Sequence, residues 1–497
     1  MGIIQQQSIR SSLLIIIGFS FGAFNMLVLG PKLLGPEMLG LTRIITDAGI
    51  TLATLASFGT IPVIYKFYPF YSAYVKNNRS DLPLLTGIIC LAGFTIICIV
   101  GYFSRDLIIQ KYSERAPLFV EYSFLVYPFS FIMLFFMWLE SFGWSLRKSV
   151  LTNGLREIAP RVIFTIITLL YGFSIISASN YLLMFSLSYC ISLIVLFWVL
   201  KKTGKFNFIN EISPVTKRLK KRMLSFGLFI FGAHFLNLIS RTIDTFILTS
   251  VSNGGLTDTA IFTIATYVVT LMEIPQRSLN SVTIPILAEA WKDKNMNQIT
   301  RIYSKSVSNL LVLGLGLLAL FFINSQNLEI FLGEEFQGVG FAILIIGIGK
   351  LVDLGTGANT QIIGTSSYWK VDFTTNIIYT LVALPLNYVL ISKYGLKGAA
   401  YSSLISITFY NLLRFGFLYL KFKLQPYTIK NLYALLIALV AGSTAYYIPS
   451  FEHYIIDSFF RSLLFLILFV PAIYLSGASE EVNITINKLL ARLKIKN

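Results

Sequence analysis

Little in this sequence is built for chemistry in water. Its 497 residues include only 3 cysteines, Cys90, Cys98 and Cys190, all inside apolar runs and none at CxxC or metal-ligand spacing. They read as small packing residues, and no metal or cofactor is expected. The GIGK of Gly347–Lys350 lacks the spaced glycine and the following Ser or Thr of a phosphate-binding loop, so no ATPase module is present. Acidic residues are scarce, 23 against 40 Lys and Arg, for a net charge of +17. The densest basic cluster, KKTGKFNFINEISPVTKRLKKR at Lys201–Arg222, is a loop between apolar runs. It fits a topogenic segment facing anionic membrane lipids, and nucleic acid is not an expected partner.

What is abundant is hydrocarbon. Hydrophobic residues make up 55% of the chain and its mean hydropathy is +0.73, against about 45–50% apolar usage in soluble domains. Crossing a bilayer by helix takes about 20 largely apolar residues, because every backbone N–H and C=O must be satisfied within the segment. Fourteen stretches qualify: Ser11–Gly30, Gly40–Ile64, Leu84–Phe103, Leu118–Leu139, Val162–Ile176, Tyr181–Leu200, Met223–Ser250, Ala260–Leu287, Val307–Phe322, Gly340–Leu354, Asp372–Ile391, Leu396–Leu420, Leu432–Ile448 and Ser458–Leu475. The fold class expected is an all-α membrane protein of about 14 transmembrane helices. With the N-terminus inside, most of the 40 Lys and Arg fall on the cytoplasmic side, and Arg43, Arg241, Arg277 and Arg414 are among those within spans. Both termini are therefore expected in the cytoplasm. The first run follows a short head with one Arg and no A-x-A site, so it reads as retained.

Two matches suggest an internal repeat. FSFGAF at Phe19–Phe24 returns as FIFGAH at Phe229–His234, and TIPVI at Thr60–Ile64 returns as TIPIL at Thr283–Leu287. An even number of spans per repeat makes the two halves run parallel, an arrangement that places a substrate between them. The expected organisation is a lobe at 1–200, a basic linker at 201–222, a second six-helix lobe at 223–420, and two further helices with a tail at 421–497. Outer loops are short, the longest being SRDLIIQKYSERAP and NSQNLEIFLGEEFQGV, whereas a domain takes about 50 residues or more. Chemistry on a dissolved external substrate is not expected.

Against this apolar background stand a few ionisable groups. At about 100° per residue, His234, Asn237, Arg241 and Asp244 share one face of the seventh stretch. Arg43, Asp47, Thr54 and Ser57 do the same on the second, the eighth carries Glu273, Pro275, Arg277 and Asn280, and the twelfth has Asn411 and Arg414. Pro275 removes a backbone donor and should bend its helix. A lipid-facing Arg or Asp at mid-helix costs about 2.5–3.5 kcal/mol, so these faces are expected to turn inward, towards a wet cavity. Arginine there suits phosphate, with a planar fork of donors and a charge it cannot lose. The same spacings also allow self-neutralising struts or snorkelling ends. IYKFYPFYSAYVKNNR at Ile64–Arg79 reads mainly as an interfacial aromatic and basic belt, and less readily as a place for lipid headgroups to enter.

LLGPEMLGLTRIITDAGITLATLASFGTIPVIYKFYP, Leu33–Pro69, resembles the LG-x-x-x-x-G turn and glycine-ended second helix of polysaccharide flippases of the Wzx type, in the multidrug/oligosaccharidyl-lipid/polysaccharide exporter superfamily. KYGLKGAAYSSLIS, Lys393–Ser406, resembles that family's G-x-x-GAA start of the twelfth helix. The resemblance implies a non-enzymatic transporter in the bacterial inner membrane. Its cargo would be an undecaprenyl-diphosphate-linked oligosaccharide, moved by alternating access, with other polysaccharide-assembly proteins as partners. A membrane polymerase or ligase acting on the same lipid would need the large external loop that is missing. The motifs carry no binding residue of their own. The site expectation therefore rests on the charges: Arg277, Arg241, Arg43, Arg414, Asn237 and Asn280 for diphosphate and sugar, and Glu273, Asp244, Asp47 and His234 for orienting them or carrying a coupling ion. The alternative is an ion-coupled exporter of amphiphiles. Asn25 is the first stretch's only strongly polar group, which disfavours an acidic cation site there.

Overall fold

The computed structural model describes residues 14, 16–75, 80–484 and 487, excepting the side chains of Ala233, His234, Asn237, Ser240, Arg241, Ser278, Ser281 and Trp369. Among the described residues the chain is helical with no strand, and 10 helices are long and apolar enough to cross a membrane. This is the expected all-α integral membrane protein, since only internal hydrogen bonding lets a single segment sit in hydrocarbon. By packing, the chain divides into two compact units, Met1–Ala260 and Ile261–Asn497.

In the first unit, α1 (Ile16–Leu33) contains a π-helical turn at Asn25–Leu29, closed by the Gly30 N–H on the Asn25 carbonyl. Pro31 follows immediately and lacks the N–H that a regular turn would use. Next come α2 (Gly35–Ala56) and α3 (Thr60–Tyr74). The second apolar stretch is thus broken at Ser57–Gly59, where Gly59 takes φ +74° and a Cβ would stand 2.2 Å from the Gly227 carbonyl oxygen. Then follow α4 (Leu82–Phe103), α5 (Pro117–Ser145), the pair α6 (Ser149–Glu157) and α7 (Ala159–Gly172), α8 (Ala178–Lys202) and α9 (Pro214–Val251). The basic loop is half helix, because α9 begins at Pro214 with Ser213 as its N-cap. Its extended half is pinned: Phe206 is buried among the rings of Trp138, Phe142 and Phe197.

Helix α10 (Gly255–Thr270) ends at a turn over Leu271 and Met272, and α11 (Glu273–Lys292) resumes. The bend expected from Pro275 is present. The ring would clash with the carbonyl four residues earlier, at Leu271, so the interruption falls there rather than at the proline. The second unit continues with α12 (Met296–Ile323), α13 (Val339–Gly355), α14 (Asn359–Thr365) and α15 (Trp369–Phe422). Helix α15 is two of the apolar stretches joined at Gly395, whose φ 54°, ψ −130° is a non-helical kink. Finally α16 (Ile429–Tyr446) and α17 (Tyr454–Ser476) pack on α12 through Ala438, Ala441, Phe465 and Phe469.

Two further cations of helices able to cross make internal ion pairs. Lys350 is in α13, and Arg461 in α17 is only 7% exposed. Arg461 holds the C-terminal pair together. It donates from Nε to Asp457 Oδ2 at 2.6 Å and caps the Tyr446 and Ile448 carbonyls at the end of α16. Asp457 also accepts from Asn327 and from the Phe451 amide.

Candidate functional site

The second unit gathers its charges into one relay across four helices. Arg277 on α11 donates from Nη2 to Glu273 Oε2 at 3.0 Å. The other oxygen of Glu273 lies 3.1 Å from Lys350 Nζ on α13, which also meets Asp353 Oδ2 at 2.8 Å. Asp353 accepts from Gln276 at 3.4 Å and from Asn411 Nδ2 at 3.2 Å. The Asn411 carboxamide oxygen then takes the Thr356 hydroxyl at 2.8 Å and Asn359 Nδ2 at 3.0 Å. Thr360 links Asn359 to Arg414, and Arg414 closes on Asp372.

Local sequence explains the positions. Lys350 and Asp353 are i, i+3 neighbours, as Glu273 and Arg277 are i, i+4 neighbours, so each helix supplies one charge of each sign to one face. The kink at Gly395 returns the second half of α15 alongside its first, bringing Arg414 to Asp372. Arg277, Lys350 and Arg414 balance Glu273, Asp353 and Asp372.

The two arginines differ in kind. Arg414 is 2% exposed, each of its three guanidinium nitrogens has an acceptor, and its central carbon lies 3.9 Å from the Tyr410 ring centre. It is spoken for. The Arg277 side chain is 66% exposed and, among the described residues, commits one nitrogen to Glu273, leaving most of its donor fork without a further partner there. Asn280, one turn on, has a buried carboxamide oxygen with no partner among the described residues.

In the first unit the structure joins Arg43 to Asp47 at 2.8 Å, and Thr245 of α9 donates to the same carboxylate oxygen at 2.7 Å. Asp47 thereby fastens α2 to α9, next to Asp244. His234, Asn237 and Arg241 lie on α9, but their side chains are outside those described. Sequence reasoning missed a further cluster here. Glu140 of α5, 2% exposed, pairs with Arg156 at 3.0 Å, and Arg161 pairs with Glu157 at 3.0 Å. Asn25 in the π-turn donates to the Arg161 carbonyl at 2.8 Å and accepts from Thr165 at 2.7 Å. The signal was there in the lone acid of an aromatic run, VYPFSFIMLFFMWLESFGW, but its partner arginine sits in what reads as a loop.

Fold and charge pattern define an all-α integral membrane protein in which two units carry buried, internally paired ions. Two solved structures share the architecture: the lipid II flippase MurJ in an inward closed conformation, at TM-score 0.70 and 16% identity over 93% of this chain and 98% of that one, and an inward-facing multidrug resistance MATE family transporter of the MOP superfamily, at TM-score 0.63 and 16% identity over 83% and 97%. At such identity they establish the fold alone. The family comes from sequence: a profile described as polysaccharide biosynthesis protein matches residues 7–291, more than half of the chain, and the protein belongs to that family. The capsular polysaccharide biosynthesis protein CapF of Staphylococcus aureus is 27% identical over 148 residues, 29% of this chain and 37% of that relative, so the match spans little more than a third of its length. The resemblance read from Leu33–Pro69 is borne out at the level of the family.

Proposed function

We propose that this protein moves a lipid-linked oligosaccharide, carried on undecaprenyl diphosphate, across the bacterial inner membrane by alternating access between two six-helix lobes, with both termini in the cytoplasm. The observation that carries this reading is the relay ending in Arg277. A polysaccharide biosynthesis protein with this fold presents a cation whose fork is mostly uncommitted, held at the rim of a buried, charge-balanced scaffold. A diphosphate and its sugars are too polar for hydrocarbon and need such a lined path, while the prenyl tail stays in lipid.

Within this reading Arg277 meets the diphosphate and Asn280 supplies a polar contact beside it. Glu273, bracketed by Arg277 and Lys350, orients the arginine; its carboxylate is engaged on both oxygens. Arg414 anchors α15, and Asp47 braces α2 against α9, with Arg43 its partly exposed companion. Arg241, Asn237, Asp244 and His234 are the corresponding candidates on α9.

The test is leaflet exchange of a labelled undecaprenyl-diphosphate oligosaccharide in vesicles. Removing a charge-assisted hydrogen bond predicts a drop of roughly 10- to 100-fold for Arg277→Ala, with partial recovery for Arg277→Lys, a point charge without the fork. Wild-type exchange by Arg277→Ala at equal reconstitution would remove the diphosphate role. Absence of exchange by the wild type together with efflux of small amphiphiles would favour the ion-coupled exporter.

A further inference from the structure

A second feature lies wholly within the first unit. A groove of about 960 Å³ runs between α3, α4 and α9. Along α9 its wall is a single stripe: Lys217, Lys220, Leu224 and Leu228 fall within about 80° of one another at about 100° per residue. The stripe changes character along its length. Two lysines stand at one end, and Leu224 and Leu228, 65% and 53% exposed, run on from them beside Ile89 and Phe58. From Lys217 to Leu228 the rise is about 16 Å, the span of an extended acyl chain of a dozen carbons. The floor is fixed by the tight crossing at Gly59 and Gly227.

The polar groups in the wall are already engaged within the fold. Thr216 donates to Asp81 at 2.7 Å, Thr86 donates to the Leu82 carbonyl at 2.7 Å and accepts from Trp138, and Thr60 pairs with Cys90 at 3.2 Å. What the groove offers is two point charges and a hydrocarbon trough, with little to read a sugar. Ammonium groups bind phosphate as point charges, and cations at the end of an apolar face favour anionic headgroups.

We propose that this groove holds an anionic glycerophospholipid of the bilayer, its phosphate between Lys217 and Lys220 and an acyl chain along Leu224 and Leu228. The site is distinct from the Arg277 relay and independent of the transport reading.

The experiment is native mass spectrometry of the full-length protein, delipidated in detergent and titrated with phosphatidylglycerol or phosphatidylcholine. Wild type is expected to retain phosphatidylglycerol preferentially, weakening by about fivefold for each lysine removed in Lys217→Gln/Lys220→Gln. Leu224→Asn/Leu228→Asn should weaken it too, while Lys221→Gln/Arg222→Gln, exposed cations outside the groove, should not. Lipid-free thermal midpoints show whether each variant is folded. Equal loss in the control pair would mean diffuse electrostatics and overturn the proposal, as would competition by inorganic phosphate alone. Displacement of phosphatidylglycerol by a polyprenyl phosphate, with the same dependence on Lys217 and Lys220, would reassign the groove to the cargo and also overturn it.

Discussion

Arg277 and Arg414 are both arginines in apolar helices of one unit, and substitution should separate them cleanly. Arg277 is mostly exposed and paired as an i, i+4 neighbour; such pairs contribute about 0–1 kcal/mol, so Arg277→Ala should leave stability nearly unchanged. Arg414 is 2% exposed and its partner Asp372 keeps 29% of its side chain accessible. Removing Asp372 strands a buried guanidinium, whereas removing Arg414 leaves a carboxylate with some access to water. Asp372→Ala is therefore expected to cost about 3–5 kcal/mol and Arg414→Ala distinctly less. Thermal unfolding in detergent with fluorescence-detected size exclusion measures both, and an equal or reversed order would refute the assignment. The i, i+4 pairs were legible in the sequence because both partners lie on one helix. Lys350 was not: its main meaning is the pairing with Glu273, from a helix far along the chain, and no local pattern announces that.

At the scale of elements, the resemblance motifs were legible and their physical content appears only in three dimensions. Gly40 of the first motif would place a Cβ 2.0 Å from the Leu256 carbonyl oxygen, so that glycine marks a close helix crossing. Gly395 of the second is a hinge, at a backbone geometry open to little but glycine. Gly395→Ala should cost about 1–3 kcal/mol through backbone strain alone and lower the thermal midpoint. If it were as stable as wild type, α15 would be continuous and the pairing of Arg414 with Asp372 would need another cause. The C-terminal helices offer a parallel case. Asp457 and Arg461 are 3% and 7% exposed, and their hydrogen bonds reach α16, the loop after it and Asn327. Asp457→Ala is expected to release α17 first, which limited proteolysis after Tyr446 would report. The i, i+4 spacing of this pair is visible in the sequence, but its reach to α16 and Asn327 is not, since a cation near one end of an apolar run is ordinarily unremarkable.

For the whole molecule, hydropathy located nearly every helix, because the hydrocarbon requirement acts on each segment separately. It failed where apolarity is not the determinant. Ser149–Glu157 and Pro214–Arg222 are helical despite their charge, held by packing and capping rather than by lipid. If the chain carries a diphosphate past Arg277, as proposed, the surroundings of that residue must meet water from one side of the bilayer and then from the other. With Cys90, Cys98 and Cys190 replaced by serine or alanine, a single cysteine at Gln276 or Asn280 should react with a membrane-impermeant maleimide, and the reactive side should shift when lipid-linked cargo is supplied. A cysteine at Phe465, fully buried against the α12 packing, should stay unreactive throughout. If the positions flanking Arg277 were equally silent from both sides, with and without cargo, the guanidinium would be facing lipid or packed protein. The relay would then be a brace within one unit, and the path for the sugar would have to be sought elsewhere in the chain.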